Sequence, residues 1–173
     1  MRADRLRIHP PGDLTSSDLP FEAPRTGRRV TATMTGRNGL VPGNRMTNRI
    51  HDVGVARQIG AYSDAVEAPA NSRWLFTAGT PGLALDGTLP DDITGQAEQA
   101  WTHILAMLDS AGMDVSDLVK VTHYLLRAAD IPAYVKVRSR FLGDARPASM
   151  LLVVPELVRP EFLLEIEACA AKA

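Results

Sequence analysis

Near its C-terminus the chain reads Phe162-Leu163-Leu164-Glu165-Ile166-Glu167-Ala168-Cys169-Ala170. Strand alternation sets Glu165, Glu167 and Cys169 on one side and Leu164, Ile166 and Ala168 on the other. The two carboxylates are candidates for acid–base chemistry, but paired acids are also what an ordinary solvated strand face displays, and spacing leaves both readings open. Cys169 would need a base beside it to be a nucleophile; none is signalled, so it reads as a small buried hydrophobe. The histidines, at positions 9, 51, 103 and 123, have no metal-ligand spacing, and no metal is expected. His103 and His123 read as structural. Gly79-Thr80-Pro81-Gly82 is not a phosphate loop, because no Gly-Lys-Ser/Thr follows and the proline removes a donor.

The elements that must position these residues follow from periodicity. Asn48–Val53 and Tyr62–Glu67 are expected as the first two strands, and Arg73–Gly79 as a third that runs into the Gly-Thr-Pro-Gly loop. From Asp91 onward Ile93, Ala97, Ala100, Trp101, Ile104, Leu105, Leu108 and Ala111 follow one helix face. Asp91 or Asp92 suits the N-cap and Gly112 the C′ position, which predicts a helix over 92–111. Asp117–Arg127 alternates as a strand. A second helix is predicted from Asp130-Ile131-Pro132, capped by the acid, with Tyr134, Val137 and Phe141 inward and Gly143 as its stop. Ser149–Val154 is apolar on both parities, which predicts a central strand covered on both faces by helices or by another subunit. The order β-β-β-α-β-α-β-β gives an α+β class: a mixed β-sheet with two helices packed on one face.

Composition bounds what this domain does. Residues 1–45 hold eight arginines, no lysine, five prolines and five glycines, without sustained apolar periodicity. That stretch is expected to be disordered, with Met46 as a natural alternative start and 46–173 as the domain. A basic nucleic-acid arm or a transit peptide is the less favoured reading of the same stretch. The net charge of -1 gives no reason to expect nucleic acid as partner, and no membrane span is signalled. One cysteine excludes an intramolecular disulfide and fits a reducing cytoplasm.

Five segments carry a family resemblance: Gly60–Val66, Leu75–Pro81, Ala111–Thr122, Arg146–Ser149 and Leu164–Ala168. In sequence, order and spacing they resemble the RidA/YjgF family of reactive-intermediate deaminases, over about residues 55–173. The resemblance implies a chorismate-mutase-like fold assembled as a homotrimer, with ligand clefts at subunit interfaces. It also implies hydrolysis of imines and enamines to ammonia and a keto acid, with no cofactor. Carried over residue by residue, Glu165 matches the water-positioning glutamate, Tyr62 the pocket tyrosine, and Gly79, with Thr80 beside it, the segment whose backbone meets substrate.

Three positions depart from the family. Ser149 stands where the family has its substrate-binding arginine, Val135 stands where it has a pocket asparagine, and Leu151 stands two residues after the arginine position, where the family often has cysteine. A serine offers one neutral donor in place of a charged fork, a loss of about 2–4 kcal/mol toward a small carboxylate. Two other arginines are possible substitutes. Arg146 lies three residues early, and Arg159 lies in the loop before the last strand. The expected enzyme is therefore a hydrolase for an imine or enamine that lacks a small α-carboxylate, with a more apolar pocket than usual. The alternative is a non-catalytic trimer that binds a small molecule or regulates a partner. Ribonuclease activity ranks below both, because the domain is acidic and has no aromatic or basic platform.

Overall fold

The computed structural model describes residues 47–173; the extension 1–45 and the start at Met46 lie outside the described residues. Strands β1 (Arg49–His51) and β2 (Ala65–Glu67) pair antiparallel as a separate ribbon, with a one-turn helix α1 (Ala56–Ile59) between them. Both strands are shorter than expected. The Asp64 carboxylate accepts from Val53 N, Gly54 N and Ala56 N at 2.8, 3.0 and 2.8 Å, bending the chain out of the ladder at the inner end of each strand. The next residues dock elsewhere: Ser63 N donates to Pro147 O at 3.2 Å and its hydroxyl to Arg146 O.

The main sheet contains β3 (Arg73–Phe76), β4 (Thr80–Pro81), β5 (Leu118–Leu125), β6 (Ala148–Val153) and β7 (Leu164–Lys172), in the order β3-β7-β5-β6 with β4 also on β7. The predicted third strand is interrupted at Thr77, whose N–H donates to Ala168 O while its hydroxyl accepts from Ala168 N, both at 2.9 Å. A side chain there replaces a ladder carbonyl, and the strand restarts as β4. All pairs are antiparallel except β5 with β6. Parallel neighbours need a crossover, which α3 (Ile131–Leu142) provides.

The long helix α2 (Ile93–Ser110) has the ends its sequence specifies. Asp92 Oδ1 accepts from Thr94 N and Gly95 N at 2.7 and 3.0 Å. At the other end Gly112, at φ +65°, lets Met113 N reach Leu108 O and its own N–H reach Asp109 O, both at 2.8 Å. Helix α3 stops at Gly143 and carries Pro132 in its first turn, as predicted, but Asp130 does not cap it. Its carboxylate takes Arg127 Nε at 2.7 Å instead, because a 3-10 turn over Ala128–Asp130 already leads into the helix.

The core lies between the helices and one sheet face. Ala97, Trp101, Ile104, Leu108, Tyr134 and Val137 meet Val121, Leu125, Leu164 and Ile166, all essentially inaccessible. Strand β6 corrects an expectation: it is an edge strand, with Met150, Leu152 and Val153 exposed by 49, 38 and 48 %. Apolarity on both parities reports surface that gains from being covered; it does not locate the strand within its own sheet.

Candidate functional site

The sheet register sorts the candidate residues. Ser149 on β6 stands opposite Val121, and Leu151 stands opposite His123, so both face the helix side. There, between the β6 edge, α3 and the turn after α1, a cavity of about 370 Å³ opens. Tyr62, Val135, Ser149, His123, Arg138 and Leu151 are among its walls. That volume is in the range of small-molecule sites. Three of the predicted residues, Tyr62, Val135 and Ser149, thus meet in one cavity.

Two of the other lining residues were not expected to take part. His123 is fully buried; its Nε2 lies 3.1 Å from Ser149 Oγ, and its Nδ1 bonds the hydroxyl of Tyr134, also fully buried. Burial, with the Arg138 cation as a smaller cause, pushes His123 down to about 3, so the imidazole is neutral. Burial likewise pushes the Tyr134 phenol well up, so it keeps its proton. Among the described residues that proton has no acceptor other than His123 Nδ1. The hydrogen-bond requirements therefore assign the tautomer: Tyr134 donates to Nδ1, Nε2 carries the ring proton and donates to Ser149 Oγ, and Ser149 keeps its own O–H to give away. Such a histidine cannot deprotonate Ser149, so the trio is a donor relay and not a nucleophile–base pair.

Arg138, which was not among the arginines considered as substitutes, lines the cavity. It lies one turn after Tyr134 on the inner face of α3 and is 7 % exposed. Its Nη2 donates to Ala61 O at 3.3 Å, while Nε is buried and has no partner. The position was legible: it falls between Val137 and Phe141 on the helix face read as inward. The two arginines that had been singled out are engaged elsewhere. Arg146 Nη1 donates to Gly143 O and Ala145 O at 2.8 and 2.9 Å, closing the end of α3. Arg159 is half-exposed, 3.8 Å from Glu161, with its guanidinium 5.4 Å from the Phe162 ring centroid.

Glu165 points to the opposite sheet face, since it sits between Leu164 and Ile166, both at 0 % exposure. Its carboxyl is held above the usual carboxylate range by partial burial. Gly79 lies against it: a Cβ on Gly79 would stand 2.7 Å from Glu165 Oε2, so the bare backbone is what leaves room for the carboxylate. Thr80 does not join them. It pairs with Ile166, is buried, and donates its hydroxyl to Ala78 O at 3.1 Å. Glu167 is exposed and accepts from Tyr124 OH at 3.4 Å. Cys169 shares a shallow pocket with Phe76 and Lys120, and burial raises its thiol, which keeps it in the unreactive protonated form.

Within one chain, then, Glu165 with Gly79 and the cavity with Tyr62 and Ser149 lie on opposite faces of the sheet. Among the described residues no cluster of three or more metal-ligating side chains occurs, and no helix is long and apolar enough to cross a membrane.

Comparison with known proteins follows this geometry. The family model described as Endoribonuclease L-PSP matches residues 54–172. The RutC family protein PH0854 of Pyrococcus horikoshii is 33% identical over 120 residues, covering 67% of this chain and 90% of that protein. A 2-iminobutanoate/2-iminopropanoate deaminase of Dermatophagoides farinae is 30% identical over 101 residues, covering 57% of this chain and 77% of its own. Among solved structures, the Rid family protein YyfB of Yersinia pestis superposes with a TM-score of 0.63 at 26% identity, over 72% of this chain and 98% of that one. With a family model spanning nearly all of the described residues, the chain belongs to the RidA/YjgF family, whose model carries the description Endoribonuclease L-PSP.

Proposed function

We propose that this protein is a hydrolase that adds water to the C=N carbon of a reactive imine, or of an enamine after tautomerisation, in a cleft completed by a second copy in a homotrimer. The observation that carries this reading is the pairing of Glu165 with Gly79. A partly sheltered carboxylate, raised in pKa by burial yet backed only by bare backbone, is suited to hold and deprotonate a water. The water oxygen bonds to the imine carbon and its proton passes to Glu165. Return of that proton to nitrogen makes ammonia the leaving group; the C–N bond breaks as the C=O bond forms, and the hydroxyl proton passes to the departing ammonia, so an iminium and water become a carbonyl compound and ammonium. Imine hydrolysis needs no redox step, and the reading calls for no cofactor. The related deaminase of Dermatophagoides farinae supports the reaction class.

A second copy enters because the two half-sites face opposite sides of the sheet. The exposed apolar residues Met150, Leu152 and Val153 offer a surface for it to cover. Cytoplasmic location goes with this reading, since such imines arise where amino acids are metabolised.

The direct assay generates the imines of alanine or leucine in situ with an amino-acid oxidase and follows ammonia release with and without the protein. Wild type is expected to accelerate release, and Glu165→Gln to lose about 10²–10⁴-fold of the acceleration, the usual contribution of a positioned general base. Equal rates for the two proteins would remove Glu165 from the chemistry. Ligand-induced stabilisation without any turnover would replace hydrolysis by a binding role. Sedimentation of the full chain as a monomer would refute the shared cleft.

A further inference from the structure

We infer that Gln96, in the first turn of helix α2, is a positioning residue that holds Glu165 against Gly79. At 1 % exposure it cannot reach a substrate; it clamps the two chain segments that carry those residues. Its part in catalysis rests on the hydrolase reading above, whereas the clamp itself does not and is measured separately.

The first support is how little else fixes the pair. Strand β4 is two residues long, with Thr80 opposite Ile166 and Pro81 opposite Glu165. Pro81 has no N–H, so the rung beside Glu165 lacks a donor from β4. Upstream, Thr77 anchors the chain on Ala168. Downstream, the antiparallel register would set Leu83 opposite Leu163, but β4 ends at Pro81, and Leu83 O accepts from His103 Nε2 at 2.8 Å. Gln96 Oε1 accepts from Leu163 N instead, at 2.8 Å. Amides two apart on a strand point to the same edge, so Leu163 and Glu165 both address the β4 side. The glutamine side chain completes a ladder that β4 leaves unfinished.

The second support is the commitment of the Gln96 amide. Its Nε2 donates to Pro90 O at 2.9 Å and to Glu161 O at 3.1 Å. Two carbonyls and one N–H as neighbours fix which end of the amide is which, and a carboxylate of the same length could serve only the N–H. Backbone packing adds a further contact, since a Cβ on Gly82 would stand 2.4 Å from Gln96 Cα. Gly82 lies three residues past Gly79 and Leu163 two before Glu165, so one residue of α2 seats both arms of the half-site. Removing the amide leaves two carbonyls and an N–H to find water, which draws the entry of β7 away from β4. A misplacement of about 1 Å at a reacting group costs about 10²-fold in rate.

The test is a double-mutant cycle on the full-length protein in the imine assay, with wild type, Gln96→Met, Glu165→Gln and the double variant. Methionine fills similar space without the amide. Gln96→Met is expected to lower kcat by about ten- to a hundredfold with KM changed less than about threefold, and to have no further effect once Glu165 is Gln. Leu142→Ala, a core truncation at the end of α3, should leave kcat within about twofold. Amide hydrogen exchange is the arm that needs no turnover. In Gln96→Met, residues 78–83 and 161–166 should exchange at least about tenfold faster while α3 is unchanged. Should Gln96→Met not accumulate as folded protein, Gln96→Glu replaces it, keeping the acceptor for Leu163 N and losing both donors. Independent effects of the two substitutions, a change confined to KM, or exchange that is unaltered or uniformly faster along the chain would each overturn the assignment. Absence of turnover in wild type with local acceleration of exchange in the variant would sink the hydrolase reading and leave the clamp standing. Turnover in wild type with unaltered exchange in the variant would do the reverse.

Discussion

His123 gives the protein an acid-sensitive core whose size follows from its surroundings. The unfolded imidazole titrates near 6.5, whereas the buried one, lying beside Arg138, titrates at about 3. Between those values the unfolded chain binds the extra proton, so the contribution is fully present above about pH 6.5 and is lost as pH falls toward 3. Fully expressed, the gap corresponds to about 4–5 kcal/mol; at about pH 5 it amounts to about 2 kcal/mol. The substitution that isolates it is His123→Gln, which keeps polar atoms near Tyr134 and Ser149 but does not titrate. Unfolding free energies from urea titration would be compared at about pH 7.5 and about pH 5, for both proteins at one concentration, since assembly makes stability concentration-dependent. Wild type is expected to lose about 2 kcal/mol more than the variant across that interval. Contributions common to both proteins, including Glu165 with its oppositely signed effect, cancel in the comparison. Parallel losses would show that His123 is not held neutral by burial, and the donor relay built on its neutrality would fall with it.

Two glycines should respond differently to the same added methyl. In Gly79→Ala the new Cβ meets the far end of the Glu165 side chain at 2.7 Å. The carboxylate swings aside, so kcat in the imine assay should drop by at least about tenfold with less than about 1 kcal/mol lost in urea unfolding. In Gly82→Ala the Cβ lies 2.4 Å from Gln96 Cα and 2.5 Å from Gln96 O, the backbone of α2, and nothing flexible can yield. A loss of about 3 kcal/mol or failure to accumulate folded protein is expected, and a near-neutral result would contradict the close approach of loop and helix. Asp92→Ala removes the acceptor for Thr94 N and Gly95 N and should cost about 1 kcal/mol in the same unfolding assay, whereas Asp92→Asn should cost less.

What the sequence disclosed depended on how local its cause was. Helix α2 was legible end to end because its cap, its periodic face and its Gly112 stop all act within a few residues of themselves. Strand β7 was legible because burial alternates along it with the residues. Asp130 was misassigned as a cap because its partner, Arg127, precedes the helix, and Asp64 passed as a strand residue because its three amide partners lie eight to eleven positions away. The position of β6 in the sheet depends on which strand pairs with it, and hydrophobic pattern carries no such label.

The site divides along the same line. Glu165 and Gly79 come together through the β4–β7 pairing, which their segments suggested only by resemblance. The bond from His123 to Ser149 joins residues 26 positions apart and exists because β5 and β6 run parallel in one register. Arg138 is different, since its inward position could be read from Tyr134 and Val137 alone; what hid it was that substitutes for the arginine replaced by Ser149 were sought only at Arg146 and Arg159. The two observations explain each other. An arginine at 149 would share a cavity of about 370 Å³ with the Arg138 guanidinium and displace the acceptor for His123 Nε2. Two like charges in a poorly solvated space repel strongly. With Arg138 turned inward, a small neutral donor at 149 keeps the cavity at a single positive charge.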